Sequence, residues 1–220
     1  GAGVTALVMT DSSGSRLLIR SNASGAENAF RTTVTDDDVL VAEGLHGRLD
    51  PVGWAGVRSA LDEVGPLADA VAGRADGRAF WELPSEELSV LEEPGTVGAG
   101  LRAIGGHGRG RHRDHLSAAL HHRHPDLVPL VSSTTRRLLL SHVEEGDSGP
   151  EAVVHRELLA NAEAFGALET VASGLLTATG GVPLTRLRLH DVLLWLSGSL
   201  RLAHAVALGR QSPEWTTLPT

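Results

Sequence analysis

The chain of 220 residues has no cysteine and no lysine, and all 19 of its basic residues other than histidine are arginine. The lack of cysteine excludes disulfide bonds, thiolate metal sites and cysteine nucleophiles. The lack of lysine excludes the Schiff-base chemistry of a catalytic lysine. No run reaches the ~18 apolar residues of a membrane span, and the first residues lack a signal-peptide pattern. We therefore expect a cytoplasmic protein that binds no membrane.

Positive charge is scarce overall and concentrated in one segment. The net charge is −8, but residues 99–142 carry 7 arginines against 2 acidic residues. Residues 1–98 carry 7 arginines against 16 acidic residues, and residues 143–220 carry 5 against 9. An acidic body argues against general binding of nucleic acid, whereas the basic segment, which also holds seven of the eleven histidines, is where an acidic partner would bind.

Apolar residues at spacings of three and four predict helices through most of the chain. A clear start signal is Asp50–Pro51, followed by Trp54, Val57 and Leu61 on one face. Residues 4–8 and 16–20 instead favour two strands of a short hairpin. We predict an all-α fold with this N-terminal hairpin. It comprises an extension over residues 1–34, one helical domain over 35–210 and a loose tail over 211–220.

Two long helices are expected in the last third of the chain. Pro150 opens a pattern that continues through Leu175, and Thr185 opens one that continues to about Leu208. Between the two patterns, two adjacent glycines at positions 180 and 181 are a stop signal.

The most informative motif is Ile104–Gly108, with the sequence Ile-Gly-Gly-His-Gly, which lies between two predicted helices. It fits an apolar-x-Gly-apolar-Gly hairpin, except that His107 occupies a usually apolar place. Closely spaced glycines permit a tight turn whose backbone N–H groups bind anions together with the next helix N-terminus. Arginines follow, which suits contact with a phosphate backbone. The predicted DNA contacts are Gly106, Gly108, Arg109, Gly110, Arg111 and Arg113.

This motif, the helix after it and residues 123–131 together resemble the helix-hairpin-helix DNA glycosylase superfamily, more narrowly a bacterial branch of it. Residues 33–42, 80–83 and 187–195 match the same branch, so the resemblance covers about residues 33–205. It implies an all-α fold of two lobes, with a groove between them that receives a flipped base.

The sequence departs from these glycosylases at their catalytic position. In that superfamily a short apolar run after the hairpin helix ends in a catalytic aspartate, but here the run Leu127–Val131 is followed by Ser132. A hydroxyl cannot stabilise a cationic sugar or activate water as a carboxylate does. Standard base excision is therefore not expected. The candidate catalytic residues are Ser132, which also fits a helix cap, Asp126, Glu82 and His115.

The histidines after the hairpin allow three interpretations: a metal site, a solvated basic face, or acid–base chemistry by one of them. His112 and His115 share a helix face, and His121, His122 and His124 follow. Zinc accepts such ligands, but the spacing matches no standard site. We therefore predict a solvated basic face, with no metal and no cofactor.

Three further side chains allow a pocket or a structural role. Trp81 and Trp195 would stack a planar ligand if they lined a pocket, although tryptophans at this spacing are more often core residues. Asp191 beside His190 would form a dyad only if the two faced each other. Adjacent helical residues point about 100° apart, so a surface pair or cap is predicted instead.

Three functions fit this sequence. The first is a DNA-binding protein of glycosylase ancestry without standard excision activity, in repair or self-protection. The second is a repurposed enzyme of natural-product biosynthesis that holds a small planar molecule between the lobes. The third is a non-catalytic interaction protein. DNA binding needs the basic segment exposed, whereas a pocket with a few convergent polar groups favours a small molecule.

Overall fold

The computed structural model describes residues 4–11, 14–21, 38–89, 95–107, 112–178, 183–199 and 201–211. The described residues are mostly helical, which confirms the all-α class. By its internal contacts the chain divides into two units, Gly1–Asp36 and Asp37–Thr220.

The N-terminal unit contains the predicted hairpin. Strand β1 is Val4–Asp11 and strand β2 is Gly14–Ser21. They pair antiparallel, with Val4 opposite Ser21 and Asp11 opposite Gly14. The pairing confirms the two strands, and both are longer than the alternation in the sequence predicted.

The larger unit is built from nine helices within its described residues. Short 3₁₀ turns at Phe80–Glu82, Ser85–Leu88 and Leu140–His142 connect some of them. The helices are α1 Asp38–His46, α2 Pro51–Ala75, α3 Val97–His107, α4 Arg113–Arg123, α5 Ser133–Leu139, α6 Pro150–Ala160, α7 Ala162–Ala178, α8 Arg186–Gly198 and α9 Leu202–Gln211.

Helix α2 begins where the sequence predicted. The Asp50 carboxylate accepts a hydrogen bond from the Gly53 backbone N–H at 2.6 Å, and proline follows the cap. Both features stabilise a helix N-terminus. Val57 and Leu61 are buried and Trp54 is half-buried, so the predicted face does pack inward.

The prediction of two long helices near the end of the chain is wrong, because each of the two patterns forms two separate helices. Asn161 separates α6 from α7, and its side-chain amide donates to the Glu157 carbonyl at 2.9 Å. Asparagine competes with the helical backbone in this way, which explains a break that the apolar spacing did not signal. The second pattern is interrupted after Gly198, and α9 leaves α8 at an angle of 107°.

No helix among the described residues is by itself long and apolar enough to cross a membrane. The bent pair of α8 and residues 202–210 passes the same test of length and composition only when the two helices are taken together.

Within the larger unit, α1 lies against α4, and α2 lies against α3 and α4, whereas α5 lies against α8. The buried run from Leu127 to Val131 connects α4 to α5, and α6 contacts α3 as well as α5 and α8. This arrangement places the end of α1, the start of α4 and one face of α8 around a shared space.

Candidate functional site

An open cleft of about 370 Å³ lies between α1 and α4 on one side and α5 and α8 on the other. Leu45, Leu130 and Val192 form part of its apolar wall. Six polar side chains converge on it from four helices and the connecting run: His46, Asp114, Ser132, Thr134, Arg188 and Asp191. An apolar wall with a few convergent polar groups is typical of a binding site for a small molecule.

Helix α8 supplies the side chains of greatest chemical interest. Arg188, Asp191 and Trp195 are separated by three and four residues, so they share one face of the helix. α8 begins at a Thr185 cap, whose hydroxyl accepts from the Arg188 backbone N–H at 3.3 Å. The cap fixes the first turn and therefore the direction in which this face points.

Asp191 is a buried carboxyl with one charged partner. Only 7% of the residue is exposed, and its carboxylate pairs with the Arg188 guanidinium one turn earlier in α8. Burial raises the pKa of Asp191 to about 6, against the lowering effect of Arg188. Burial disfavours the charged form, so this carboxyl exchanges its proton close to neutral pH.

His46, the last residue of α1, brings an imidazole to the same cleft. Its Nε2 atom is buried and has no hydrogen-bond partner within the part of the chain that is described. Burial lowers the pKa of His46, with His115 and Arg188 adding to the effect and Asp114 opposing it. The ring is therefore neutral at pH 7, and its Nε2 atom is a buried polar atom beside the cleft.

Ser132 lies in the cleft wall and caps α5, as its sequence context predicted. Its hydroxyl accepts from the Thr135 backbone N–H at 3.2 Å and lies 3.0 Å from the Thr135 hydroxyl. The Asp114 carboxylate accepts from both the backbone N–H and the hydroxyl of Ser133 at 2.7 Å. Within the described residues, Ser132 is thus held by Thr135 and not by a histidine, so no base is positioned there to activate its hydroxyl.

Trp195 is 43% exposed and forms one side of the cleft. The prediction that Trp195 is a core residue is therefore wrong. The Arg201 guanidinium lies 5.4 Å from the centre of its ring. A cation over an aromatic face holds the ring in place.

Trp81, Glu82 and Asp126 do not line this cleft. Trp81 is partly buried against the core, and the Arg186 guanidinium lies 5.2 Å from its ring. The Glu82 carboxylate accepts from the Ala79 backbone N–H at 2.9 Å. Burial raises the pKa of Asp126, and repulsion from Glu169 and Glu82 adds to it. The three candidates therefore lie outside the cleft, and their contacts stabilise the fold.

His115, the other catalytic candidate, is buried and ties α4 to the end of α1. Its Nε2–H donates to the Gly47 carbonyl at 2.8 Å. Its ring centre lies 5.6 Å from that of His46. His115 therefore packs against His46, which lines the cleft, but His115 itself is not one of the lining residues.

The predicted solvated histidine face is wrong. His121 is buried, and its Nδ1–H donates to the Val128 carbonyl at 2.8 Å. His122 pairs with Asp38 at 2.9 Å, and His124 pairs with Asp69 at 3.0 Å. These side chains join α4 to α1 and α2, because α4 is packed between neighbours that a linear pattern does not reveal.

His190 and Asp191 form neither a dyad nor a surface pair. Both are buried, and they point to different partners, as adjacent residues of a helix should. His190 Nε2 lies 2.6 Å from a Glu157 carboxylate oxygen and thereby joins α8 to α6. Burial lowers the pKa of His190, although the Glu157 hydrogen bond opposes this.

The predicted hairpin is only partly described. Gly108, Arg109, Gly110 and Arg111 lie outside the described residues. Gly106 is exposed near the end of α3. Arg113, the first residue of α4, donates to the Gly105 carbonyl at 3.4 Å. Helix α3 continues to His107, so the first two glycines of the motif are helical.

The helical position of Gly105 makes a substitution there informative. Alanine there would meet no atom within 4 Å, so Gly105→Ala should raise the free energy of unfolding by ~0.5 kcal/mol. The contrasting variant is Gly98→Ala, whose new methyl group would lie 2.8 Å from the Glu87 carbonyl oxygen. It should cost about 1–3 kcal/mol through overpacking. Urea unfolding of both variants measures the effects, and a clear loss of stability in Gly105→Ala would contradict the helical assignment.

Within the described residues, no group of three or more His, Asp or Glu side chains is arranged to hold a metal ion. Comparison of the chain with models of protein families, with curated proteins and with solved structures found no match. The residues that line the cleft are therefore the basis for assigning a function.

Proposed function

We propose that the chain is an enzyme that binds a small planar molecule in the cleft and uses Asp191 as its acid–base residue. The observation that carries this proposal is that Ser132, Asp191 and Trp195 lie around one space. The cleft volume of about 370 Å³ falls within the range of ligand sites. Asp191 and Trp195 share one face of α8, whereas Ser132 caps α5, so only folding brings the serine to the other two side chains.

We further propose that the fold is of the two-lobed helix-hairpin-helix glycosylase kind. The order of α3, α4, the buried run and the α5 cap supports it. Ser132 stands where that resemblance expects a catalytic aspartate, and it faces the cleft. Asp191 brings a carboxyl to the same cleft from α8, which provides a replacement for the aspartate that the sequence lacks at position 132.

The chemistry suits cleavage of a bond between a sugar and a ring nitrogen. A carboxyl whose pKa is near 6 is effective in proton transfer near neutral pH. In its protonated form Asp191 would donate its proton to the leaving ring nitrogen as the bond to the sugar breaks and water adds to the sugar carbon. The proton that the added water loses would return to the Asp191 carboxylate. Trp195 would stack on the ring, beside the neutral His46 imidazole.

Several basic side chains of residues 99–142 are already paired within the protein, which favours a small molecule over duplex DNA as the ligand. Arg123 and His122 both bind the Asp38 carboxylate, and Arg113 is turned back toward Gly105. Charges engaged inside the protein contribute less to phosphate binding than free surface charges do.

A DNA-binding function is the second candidate, and the charge of the basic segment is the observation that favours it. Residues 99–142 carry a net charge of +5 within a chain of net charge −8. In that function the hairpin would contact phosphates, and the cleft would receive a flipped base.

A panel assay separates these candidates. Purified protein is incubated with nucleosides and other small N-glycosides, and separately with lesion-containing duplexes, and release of the free ring is measured. We expect turnover of at least one small substrate and none of the duplexes. Asp191→Asn should lower that turnover by 10²-fold or more, in the range reported for loss of a general acid. Ser132→Ala is the matched control from the same cleft and should retain most of the activity.

Turnover of duplexes in place of nucleosides would instead support the DNA candidate. In that case duplex binding should fall steeply with salt and weaken when Arg109, Arg111 and Arg113 are replaced together. No turnover of either class and no binding by the cleft would contradict both and leave a non-catalytic interaction protein.

A further inference from the structure

The Asp114 carboxylate lines the cleft and has no part in the proposed reaction. It lies in the first turn of α4, and its Oδ1 atom accepts hydrogen bonds from both the backbone N–H and the hydroxyl of Ser133 at 2.7 Å. Within the described residues, no donor reaches the other oxygen, Oδ2, and no arginine or histidine forms an ion pair with this carboxylate. Ser133 therefore fixes the direction of a carboxylate whose second oxygen is still an acceptor.

Asp114 lies at one end of the cleft, as the charges around His46 show. Burial lowers the pKa of His46, and the charges of Asp114 and Arg188 act on the same imidazole from α4 and α8. These three side chains are therefore neighbours in the cleft. Trp195 lies about two turns after Arg188 on α8, which is ~10 Å along the helix axis. It therefore marks the opposite end.

Asp191 lies between these two ends of the cleft. It follows Arg188 by one turn and precedes Trp195 by one turn on the same face of α8. In the proposed reaction, Trp195 stacks on the ring and Asp191 protonates the ring nitrogen at which the bond breaks. The sugar on that nitrogen then extends toward Asp114. This orientation rests on the proposed function, because it takes Asp191 as the acid.

We propose that Asp114 binds two neighbouring hydroxyl groups of the sugar, so that the substrate is a nucleoside of the ribose series. An ionised carboxylate only accepts hydrogen bonds, and each of its oxygens has about two acceptor sites. Ser133 occupies both sites of Oδ1, which leaves the two sites of Oδ2 for one hydroxyl each. Hydrogen bonds to a charged group are stronger than those between neutral groups, so the contact would discriminate between sugars.

Binding of matched nucleosides to the wild-type protein tests this preference. Adenosine, guanosine, cytidine and uridine are titrated by calorimetry beside their 2′-deoxy counterparts. We expect at least one ribonucleoside to bind about tenfold or more tightly than its 2′-deoxy counterpart, which lacks one hydrogen bond to the charged group. The arabinoside of the same base carries its 2′-hydroxyl on the opposite face of the sugar. It should bind as weakly as the 2′-deoxynucleoside.

The variant Asp114→Asn assigns the preference to this carboxylate. Asparagine keeps one acceptor oxygen for Ser133, but an NH₂ group replaces the second oxygen and cannot accept a hydrogen bond. The ribonucleoside should bind about tenfold more weakly, whereas the affinity for the 2′-deoxynucleoside should stay nearly unchanged. Damage to the fold would instead lower both affinities. The matched control is Asp62→Asn, an exposed carboxylate of α2 outside the cleft, which should keep the preference.

Three results would overturn the proposal: equal binding of ribonucleosides and 2′-deoxynucleosides, an unchanged preference in Asp114→Asn, or no binding of any nucleoside. If Asp114→Asn does not fold, the arabinoside comparison on the wild-type protein decides. Turnover separates this proposal from the proposed function. Cleavage of nucleosides without a ribose preference would refute only the role of Asp114. Binding with the preference but without cleavage would refute only the role of Asp191 as the acid.

Discussion

Asp191→Asn should make the protein more stable at neutral pH, although it removes an ion pair with Arg188. A pKa raised from 3.8 to about 6 in a buried group means that the ionised carboxylate destabilises the folded state, by up to about 3 kcal/mol. Asparagine resembles the protonated carboxyl, and its amide oxygen still accepts from Arg188. Replacing a charged group of a proposed active site in this way commonly exchanges function for stability.

The pH dependence follows from the same shift. The folded state holds the Asp191 proton more tightly than the unfolded chain does. The contribution of Asp191 to stability is therefore most favourable below pH 4 and is lost as the pH rises to about 6. The difference in free energy of unfolding between wild type and Asp191→Asn should grow over this window and stay constant above it. The other titrating groups are common to both proteins and cancel.

Urea unfolding at several pH values between 4 and 8 measures this difference. A variant that is less stable than wild type at pH 7 would show that the Arg188 ion pair outweighs the burial of the carboxylate. Asp114→Asn is the matched control, because this other cleft carboxylate accepts two hydrogen bonds from Ser133. Its removal should destabilise the α5 N-terminus by about 1 kcal/mol.

Phe80→Ala should cause the largest loss of stability, about 3–5 kcal/mol. The Phe80 side chain is fully buried, and its ring meets the His155 ring edge-on with 5.4 Å between centres. The Phe80 backbone N–H donates to the Asp126 carbonyl at 2.8 Å, which fixes the loop that holds the ring. The backbone contact prevents the loop from closing the cavity that alanine would leave.

Thermal and urea unfolding give the size of this effect. The melting temperature should fall by roughly 10 °C, as expected for a chain of this length. Leu140→Ala is the control, since Leu140 is 49% exposed and its truncation should change stability by less than about 0.5 kcal/mol. A loss below about 1.5 kcal/mol in Phe80→Ala would contradict the tight packing of this region.

The helical class of the protein could be predicted from its sequence because the signals for it are local. The Asp50–Pro51 start and the Ser132 cap depend on residues within one turn, and both are present in the structure. The breaks at Asn161 and after Gly198 could not be predicted with the same certainty, because the apolar spacing continues across them. At Asn161 the break is explained by a side chain that competes with the helix backbone for hydrogen bonds.

The candidate site could be predicted only in part. Ser132 and Trp195 were singled out from the sequence, and the structure brings both to the cleft. Asp191 was set aside because His190 beside it points elsewhere. The signal that would have found it is the spacing of Arg188, Asp191 and Trp195 along one helix face. His46 had no local signal, because its role depends on the packing of α1 against α4.

The histidines show why long-range pairing escapes sequence analysis. His122 and Arg123 reach Asp38, and His124 reaches Asp69, across 84, 85 and 55 positions of the chain. A run of histidines and arginines resembles a solvated face when the acids that pair with it are distant in sequence.

The most direct test of the central claim is the NMR signal of the Trp195 indole N–H during titration with planar nitrogen heterocycles. The chain has 4 tryptophans, so its indole region is simple, and Trp195→Phe assigns the signal. We expect a bound heterocycle to shift the Trp195 signal in a saturable manner, to leave the Trp81 signal in place, and to bind more weakly to Asp191→Asn. Binding that shifts the Trp81 signal and leaves Trp195 unchanged would contradict the assignment of the cleft as the functional site.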